Sequence, residues 1–394
     1  MSTLRKQHLI DPEICIRCYS CEAACPKHAI EHNDVNVVVD AASCNFCMDC
    51  IPVCPTGSID NWRALAQPYS LQAQYAWTEL PARDESADAG PAVEALDEQV
   101  AALLDAAHQG AGGRARAPLS AAKPTINLYT LAKPAEAVVQ GNYRLTAPGS
   151  DSDVRHIILD FGAQPMPVLE GQSIGIIPPG PGAGGKPLVP RLYSVSSPRD
   201  GERPNFNNLS LTVKREPNGV ASNYLCDLGK GSKVRVTGPF GATFLLPGDV
   251  NAAILMVCTG TGAAPFRGFT MRRQRENPAL KDRLMLVFGA RTPDYLPYFG
   301  PLAKIPETFL KKLFAFSRLA GQPRQYVQDR LKADAGQVAA VLRDPTGHIY
   351  ICGKRAMEQG VEEAFAGIAS AAGLNWPAVK TAMRETGRYH VETY

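Results

Sequence analysis

The stretch from Cys15 to Pro55 constrains this 394-residue chain more than any other. It reads CIRCYSCEAACP and later CNFCMDCIPVCP, so each half is C-x2-C-x2-C-x3-C-P. Eight thiols at that spacing form the ligand set for two [4Fe–4S] cubanes. The first three cysteines of a run wrap one corner of a cluster, and the fourth reaches the other cluster. Cys15, Cys18, Cys21 and Cys54 therefore belong to one site, and Cys44, Cys47, Cys50 and Cys25 to the other. Pro26 and Pro55 follow the crossing cysteines and stop the helical turn there. A zinc site or a disulfide framework has no reason to repeat this three-plus-one pattern with both prolines. The stretch implies one-electron transfer.

Residues 1–65 as a whole resemble the bacterial two-cluster ferredoxins. Residues 5–63 form an internal repeat, with residues 35–39 expected as one arm of a hairpin after an Asn33-Asp34 turn. Residues 1–66 carry five Lys/Arg against eight Asp/Glu, a net of −3, and the rest of the chain carries +6. An overall charge of +3 gives no strong pull toward nucleic acid or a membrane surface. Three cysteines remain beyond the clusters, Cys226, Cys258 and Cys352, each isolated in sequence. Cluster thiolates and leftover free thiols fit a reducing compartment, and no signal-peptide core or apolar run of membrane-spanning length is present. The expectation is a cytoplasmic protein with no membrane and no nucleic-acid partner.

Composition shifts at residue 66. Residues 66–122 are rich in Ala, Pro, Gly and acidic residues and read as a linker, with one helix from Val93, Leu96, Val100, Leu103, Leu104 and Ala107 at helical spacing. Residues 123–248 alternate in short runs such as Ile126–Tyr129, Arg155–Phe161, Leu209–Val213 and Lys233–Val236, split by Gly and Pro. That is the pattern of a small antiparallel barrel, with one helix near Val220–Leu228. Residues 249–394 switch to strand–helix alternation, the pattern of a doubly wound parallel sheet. The fold class is thus multidomain, α+β followed by α/β.

Arg191-Leu192-Tyr193-Ser194 offers a guanidinium fork for a pyrophosphate, a flat ring face and a hydroxyl. Gly219 followed by Ser222 at a helix start offers a second anion site. In this order the segments resemble the plant-type ferredoxin–NADP+ reductase family, as do Glu170–Ile176 and Gly238–Gly241. The resemblance implies FAD on the barrel, held by Arg191, Gly219 and Ser222, with Tyr193 stacked on the isoalloxazine and Ser194 near N5. Cys258-Thr259-Gly260-Thr261-Gly262-Ala263-Ala264-Pro265 resembles that family's glycine loop, with Cys258 in place of its first glycine and Thr261 beside the nucleotide. Cys258 itself reads as a small buried residue.

A 2′-phosphate needs cations and hydroxyls, whereas a free 2′-OH wants an acidic residue. Ser317, Arg318 and Arg324 supply the former, with Tyr326 placed to stack on adenine and Gln328 close behind. The nucleotide is therefore expected to be NADPH. Tyr350-Ile351-Cys352-Gly353 and the terminal Val391-Glu392-Thr393-Tyr394 also resemble the family. The resemblance implies that Cys352 stands at the nicotinamide, that Tyr394 covers the flavin and swings away, and that Glu392 contacts Ser194 or Cys352.

A two-cluster ferredoxin ahead of a plant-type reductase resembles the reductase components of the benzoyl-CoA 2,3-epoxidase family. That implies a separate di-iron oxygenase as electron acceptor, in aerobic benzoate breakdown. Two other readings are reverse flow, from an external low-potential donor to NADP+, and clusters that serve only as a docking module.

Overall fold

The computed structural model describes residues 4–59, 61–81, 116–180 and 188–394. The helix expected over residues 93–107 lies outside them.

The N-terminal lobe has two small antiparallel ladders. Strand β1 (Arg5–Leu9) pairs with β4 (Asn61–Leu65), and β2 (Ile30–His32) with β3 (Val37–Val39). The turn between β2 and β3 is set by Asn33, whose Oδ1 accepts from the N–H groups of Val35 and Asn36 at 2.8 and 2.7 Å. Few apolar side chains fill the interior, chiefly Ile10, Ile30, Val37, Val39 and Ile59, with the cysteines around them. The two cysteine runs repeat their backbone as well as their sequence. Arg17 and Tyr19 in the first, and Phe46 and Met48 in the second, all have positive φ, between 54° and 72°.

Residues that composition assigns to the start of a linker are bound to this lobe. Ser70 caps a helix over Leu71–Tyr75. Gln74 is buried and exchanges two hydrogen bonds with the backbone of Val39, at 2.9 and 3.1 Å. Asn36 Nδ2 donates to the carbonyls of Gln74, Tyr75 and Trp77. A linker composition cannot reveal this, because the partners are single amides distant in sequence. Asn36→Ala should cost about 1–3 kcal/mol by leaving those carbonyls without their donor. Hydrogen exchange should quicken over residues 71–77 and little elsewhere; uniform quickening would contradict a local strap.

The second body is a six-stranded antiparallel sheet. Its strands are β5 (Ala135–Arg144), β6 (Val154–Asp160), β7 (Ser173–Ile177), β8 (Arg191–Ser194), β9 (Asn208–Lys214) and β10 (Lys233–Phe240). Their order is β8-β7-β10-β5-β6-β9. Alternate residues such as Ala137, Val139, Ile157, Leu159, Ile174 and Ile176 fill one core, as period-two patterning requires. An isolated antiparallel bridge from Val195 to Leu211 links the continuation of β8 to β9, the two ends of that order. The strand expected at Ile126–Tyr129 shrinks to one bridge, Tyr129 to Gly238, because Asn127 sits at φ 55° and breaks the extended run.

The third body is a parallel sheet of β11 (Ile254–Thr259), β12 (Leu284–Ala290), β13 (Leu310–Phe316), β14 (His348–Gly353) and β15 (Tyr389–Thr393), in the order β13-β12-β11-β14-β15. Leu255 and Val257 face one core, under the helix Glu358–Ala371; Ile254, Met256 and Cys258 face the other, under the helix Ala263–Glu276. Chain order reverses between β11 and β14, so the ligand crevice is expected at Thr259 and Gly353. The chain closes with a helix, Trp376–Glu385, capped by Asn375, and then the edge strand β15, which carries Glu392. Among the described residues no helix is long and apolar enough to cross a membrane.

The lobe is docked on the other two bodies. Arg5 bridges to Phe206, and the Lys6 N–H donates to the Asn205 carbonyl at 2.7 Å. Lys6 is buried, and its Nζ donates to the Arg199 carbonyl at 3.0 Å. Burial pulls that ammonium down to about 8.

Candidate functional site

The structure brings the fourth cysteine of each run to the other run's first three. Cys25 lines one cavity with Cys44, Cys47 and Cys50, closed by Phe46 and Ile59. Cys54 lies on the other side, where its charge and that of Cys15 act on Cys21. Among the described residues no three His, Cys, Asp or Glu side chains are placed to share a single metal ion. Sulfurs ranged around a cavity suit a cluster instead. Left-handed residues alternating within each loop turn peptide N–H groups toward one side, a concave cradle for an anionic group. Cys25 Sγ accepts from the Ala29 N–H at 3.3 Å, and Cys54 Sγ lies 3.3 Å from Ser58 Oγ. Burial opposes the thiolate of Cys54, but the hydrogen bonds from Ser58 and Thr56 outweigh it and leave the group at about 7. Burial pushes the Cys44 and Cys47 thiols up to about 11 and 12 and the Cys50 thiol higher still, so none of these sulfurs holds a bare charge readily and all gain when iron replaces the proton. Donor set and cradle both fit two cubanes.

The Cys44–Cys47 loop is sewn to the rest of the protein by two buried guanidiniums. Arg199 Nη1 donates to the Cys47 carbonyl at 2.9 Å, and Arg272 Nη1 to the Asn45 carbonyl at 2.7 Å. Behind them stands Glu170, fully buried, which accepts from the Arg199 N–H at 2.6 Å and from its Nε and Nη2 at 2.9 and 2.7 Å. Burial alone would raise this carboxyl; the charges of Arg199 and Arg272, with the Arg199 hydrogen bonds, hold it down at about 2. Arg272 is held in turn by Glu276 through Nε at 2.7 Å. Sequence reading missed this seam. Glu170 was noted only as part of a barrel segment, and Arg199 and Arg272 look like ordinary surface charges.

Arg199 lies five residues past Ser194, the end of β8. Along β8, Arg191 is exposed and Tyr193 half-buried, and burial pushes the Tyr193 phenol up. Ser194 Oγ lies 3.5 Å from Ser173 Oγ on the neighbouring strand. Ser222, near the start of the helix Val220–Asp227, donates to the Gly219 carbonyl and accepts from the Glu216 N–H, both at 3.2 Å. Its hydroxyl closes the turn before the helix. Gly219 is needed there, since a Cβ would stand 2.3 Å from that hydroxyl.

Helix Ala263–Glu276 connects this region to the nucleotide crevice. Arg267, near its start, donates to the Ser196 carbonyl at 2.8 Å, and Arg272 further along reaches the cluster loop. Just before the helix, Gly262 packs on the Cys352 carbonyl so closely that a Cβ would approach to 2.2 Å. Thr261 Oγ1 and Tyr394 Oη share a hydrogen bond of 2.6 Å. The chain end is anchored as well, with the Tyr394 N–H on the Gly353 carbonyl at 2.9 Å, yet the residue as a whole is 63% exposed. Cys258, Cys352 and Glu392 stand in register on β11, β14 and β15. Both thiols are buried, and burial pushes the Glu392 carboxyl up to about 8. Of the two partners expected for Glu392, Cys352 is its neighbour in register, and no hydrogen bond joins Glu392 to Ser194.

The 2′-phosphate candidates gather at the carboxyl end of β13. The Ser317 and Arg318 N–H groups donate to Ala290 and Arg291, and the Gln325 N–H returns to the Phe316 carbonyl at 3.0 Å. That closure sets Arg324 and the exposed Tyr326 beside Ser317. Tyr326 also begins the helix Val327–Ala333, and its N–H is accepted by Asp329 at 2.8 Å. Gln328, the second residue of that helix, lies under Gly360.

A cluster-bearing lobe docked on a nucleotide-binding sheet defines an iron–sulfur oxidoreductase. The family description "4Fe-4S dicluster domain" matches residues 14–58, and "Oxidoreductase NAD-binding domain" matches residues 256–363. A ferredoxin–NADP reductase of Spirulina sp is 37% identical over 288 residues, spanning 68% of this chain and 98% of its own length. One from the cyanelle of Cyanophora paradoxa is 38% identical over 288 residues, spanning 68% and 79%. Among solved structures, a ferredoxin–NADP+ reductase from Plasmodium falciparum has a TM-score of 0.54 at 23% identity, over 69% of this chain and 100% of that one, which is a likeness of fold. The chain belongs to the ferredoxin–NADP reductase family, with a dicluster ferredoxin lobe ahead of the reductase. Its cofactors are FAD, NADP and two [4Fe–4S] clusters.

Proposed function

We propose that the protein takes electrons from NADPH and delivers them, through FAD and the two clusters, to a separate protein acceptor. When bound, FAD accepts a hydride and gives up electrons one at a time, and each cluster carries one. The chain's part is placement. Arg191, Gly219 and Ser222 would hold the FAD pyrophosphate end, Tyr193 the ring face and Ser194 its edge. Ser317, Arg318, Arg324, Tyr326 and Gln328 would select NADPH; a Plasmodium falciparum relative in fold was solved with 2′P-AMP. Thr261 would hold Tyr394 over the flavin until nicotinamide displaces the ring, with Cys352 and Glu392 lining the vacated place. Cys25, Cys44, Cys47 and Cys50 would hold the cluster nearer the flavin, and Cys15, Cys18, Cys21 and Cys54 the outer one. We read the six-stranded sheet as the closed flavin barrel, supported by the Val195–Leu211 bridge.

One observation carries this reading: the loop of Cys44 and Cys47 is hydrogen-bonded to Arg199, five residues past β8, and to Arg272, on the helix Ala263–Glu276. Clusters that merely docked a partner would need no such seam. The acceptor we propose is a di-iron oxygenase acting on benzoyl-CoA in aerobic benzoate breakdown, in the cytoplasm; the order of ferredoxin ahead of reductase supports it.

Anaerobic addition of NADPH should bleach the flavin absorbance, and the low-temperature EPR of reduced clusters should then grow. Bleaching with no cluster signal would break the route and favour flow in the opposite direction.

A further inference from the structure

The two cluster loops are alike in sequence and backbone but opposite in surroundings. The Cys44–Cys47 loop is covered by Arg199 and Arg272. Its counterpart, with Cys18 exposed, faces outward. Among the described residues twelve large hydrophobics are exposed, and five of them, Ile14, Ile16, Tyr19, Val35 and Val53, lie on or beside this outer loop. Ile16 is 62% exposed. A protein this size leaves scattered apolar side chains at its surface, but a collar around one cluster is a patch.

The collar is held in shape. Arg17 Nε donates to the Val35 carbonyl at 2.5 Å and draws the β2–β3 turn onto the loop. The Tyr19 ring stacks on His32 at 4.1 Å, and His32 pairs with Glu22 at 2.6 Å. Exposed carboxylates stand around it, on Glu13, Glu31 and Asp34, in a stretch of net charge −3.

We propose that this collar is the docking face for the electron acceptor, a redox protein presenting an apolar spot inside a Lys/Arg rim. The apolar centre would exclude water beside Cys18, and the acidic rim would steer the approach, so association weakens with salt. This rests on the reading that electrons leave through the lobe.

Cytochrome c, a basic haem protein, is the probe. NADPH gives up two electrons and leaves as NADP+ with release of a proton, and two ferric haems each take one. Carbodiimide cross-linking of the full holoprotein to cytochrome c, mapped by mass spectrometry, should join Glu13, Glu31 or Asp34 to its lysines and fade with added salt. Ile16→Lys and Val35→Lys should each slow NADPH-dependent cytochrome c reduction at least tenfold. Leu119→Lys, an exposed apolar position elsewhere, should not. Reduction of ferricyanide, which needs no docking face, and cluster EPR should stay as in the parent. Cross-links that map to the reductase bodies, no cross-links, or unchanged rates in both collar variants would overturn the proposal. So would a concentration-dependent dimer abolished by Ile16→Lys, which would assign the collar to a second copy of this chain. Failure of NADPH to reduce the clusters of the parent protein would instead sink the electron route itself.

Discussion

A chain carrying Glu170→Ala is expected to lose about 3–5 kcal/mol of stability, the usual result of removing one partner from a buried ion pair. Glu170 accepts three hydrogen bonds from Arg199 and faces the charge of Arg272, and all three side chains are buried. Without the carboxylate, two guanidiniums stay buried at the seam facing carbonyls, Glu276 and, 3.9 Å from Arg272, Asp200. Urea unfolding midpoints would show the loss, and a change under about 1 kcal/mol would mean that the arginines find water. The parent protein should show the same linkage with acid. The folded carboxyl sits at about 2, below its ordinary value of 4.5, so its contribution is full above that value. It is lost as pH falls toward 2, to a total on the order of 3 kcal/mol. Glu170→Ala should lack that portion of the acid slope.

The second large effect separates the two clusters. In Cys47→Ala, NADPH should still bleach the flavin, while cluster reduction and cytochrome c reduction fall at least tenfold. In Cys18→Ala, the cluster on Cys25, Cys44, Cys47 and Cys50 should still be reduced by NADPH, and only transfer to cytochrome c should fail. Iron per chain distinguishes loss of one cluster, which halves it, from collapse of the lobe, which removes all of it. The flavin and nucleotide bodies have their own cores and should keep their cofactors in both variants. Equal behaviour of the two variants, with half the iron retained, would refute a serial order with the Cys47 side nearer the flavin.

Much of this was readable in the sequence, for a physical reason. The cofactors were legible because short local patterns carry them: the cysteine runs of Cys15–Pro55, and the segments Arg191–Ser194 and Ser317–Gln328 to which the flavin and 2′-phosphate contacts are proposed to belong. The parallel sheet was legible because its strands are continuous apolar runs, such as Ile254–Cys258. The seam was not. It joins the backbone carbonyls of residues 45 and 47 to the side chains of residues 170, 199 and 272, and no local pattern pairs positions so far apart in sequence. The Asn36–Gln74 strap was hidden likewise, since only the fold reveals which carbonyls an amide meets. Local patterns were weakest where one residue spoils them, as the left-handed Asn127 spoils the strand at Ile126–Tyr129.

The left-handed residues of the cysteine loops bear on what loss of a cluster would do. Arg17, Tyr19, Phe46 and Met48 are not glycines, and each gives up about 1–2 kcal/mol to hold that backbone. A cluster bound in each loop would help to offset that cost, because ligation is coupled to folding. Arg199 and Arg272 grip carbonyls of one of those loops, so a loop that relaxed without its cluster would be felt at the seam, and through it at the reductase bodies.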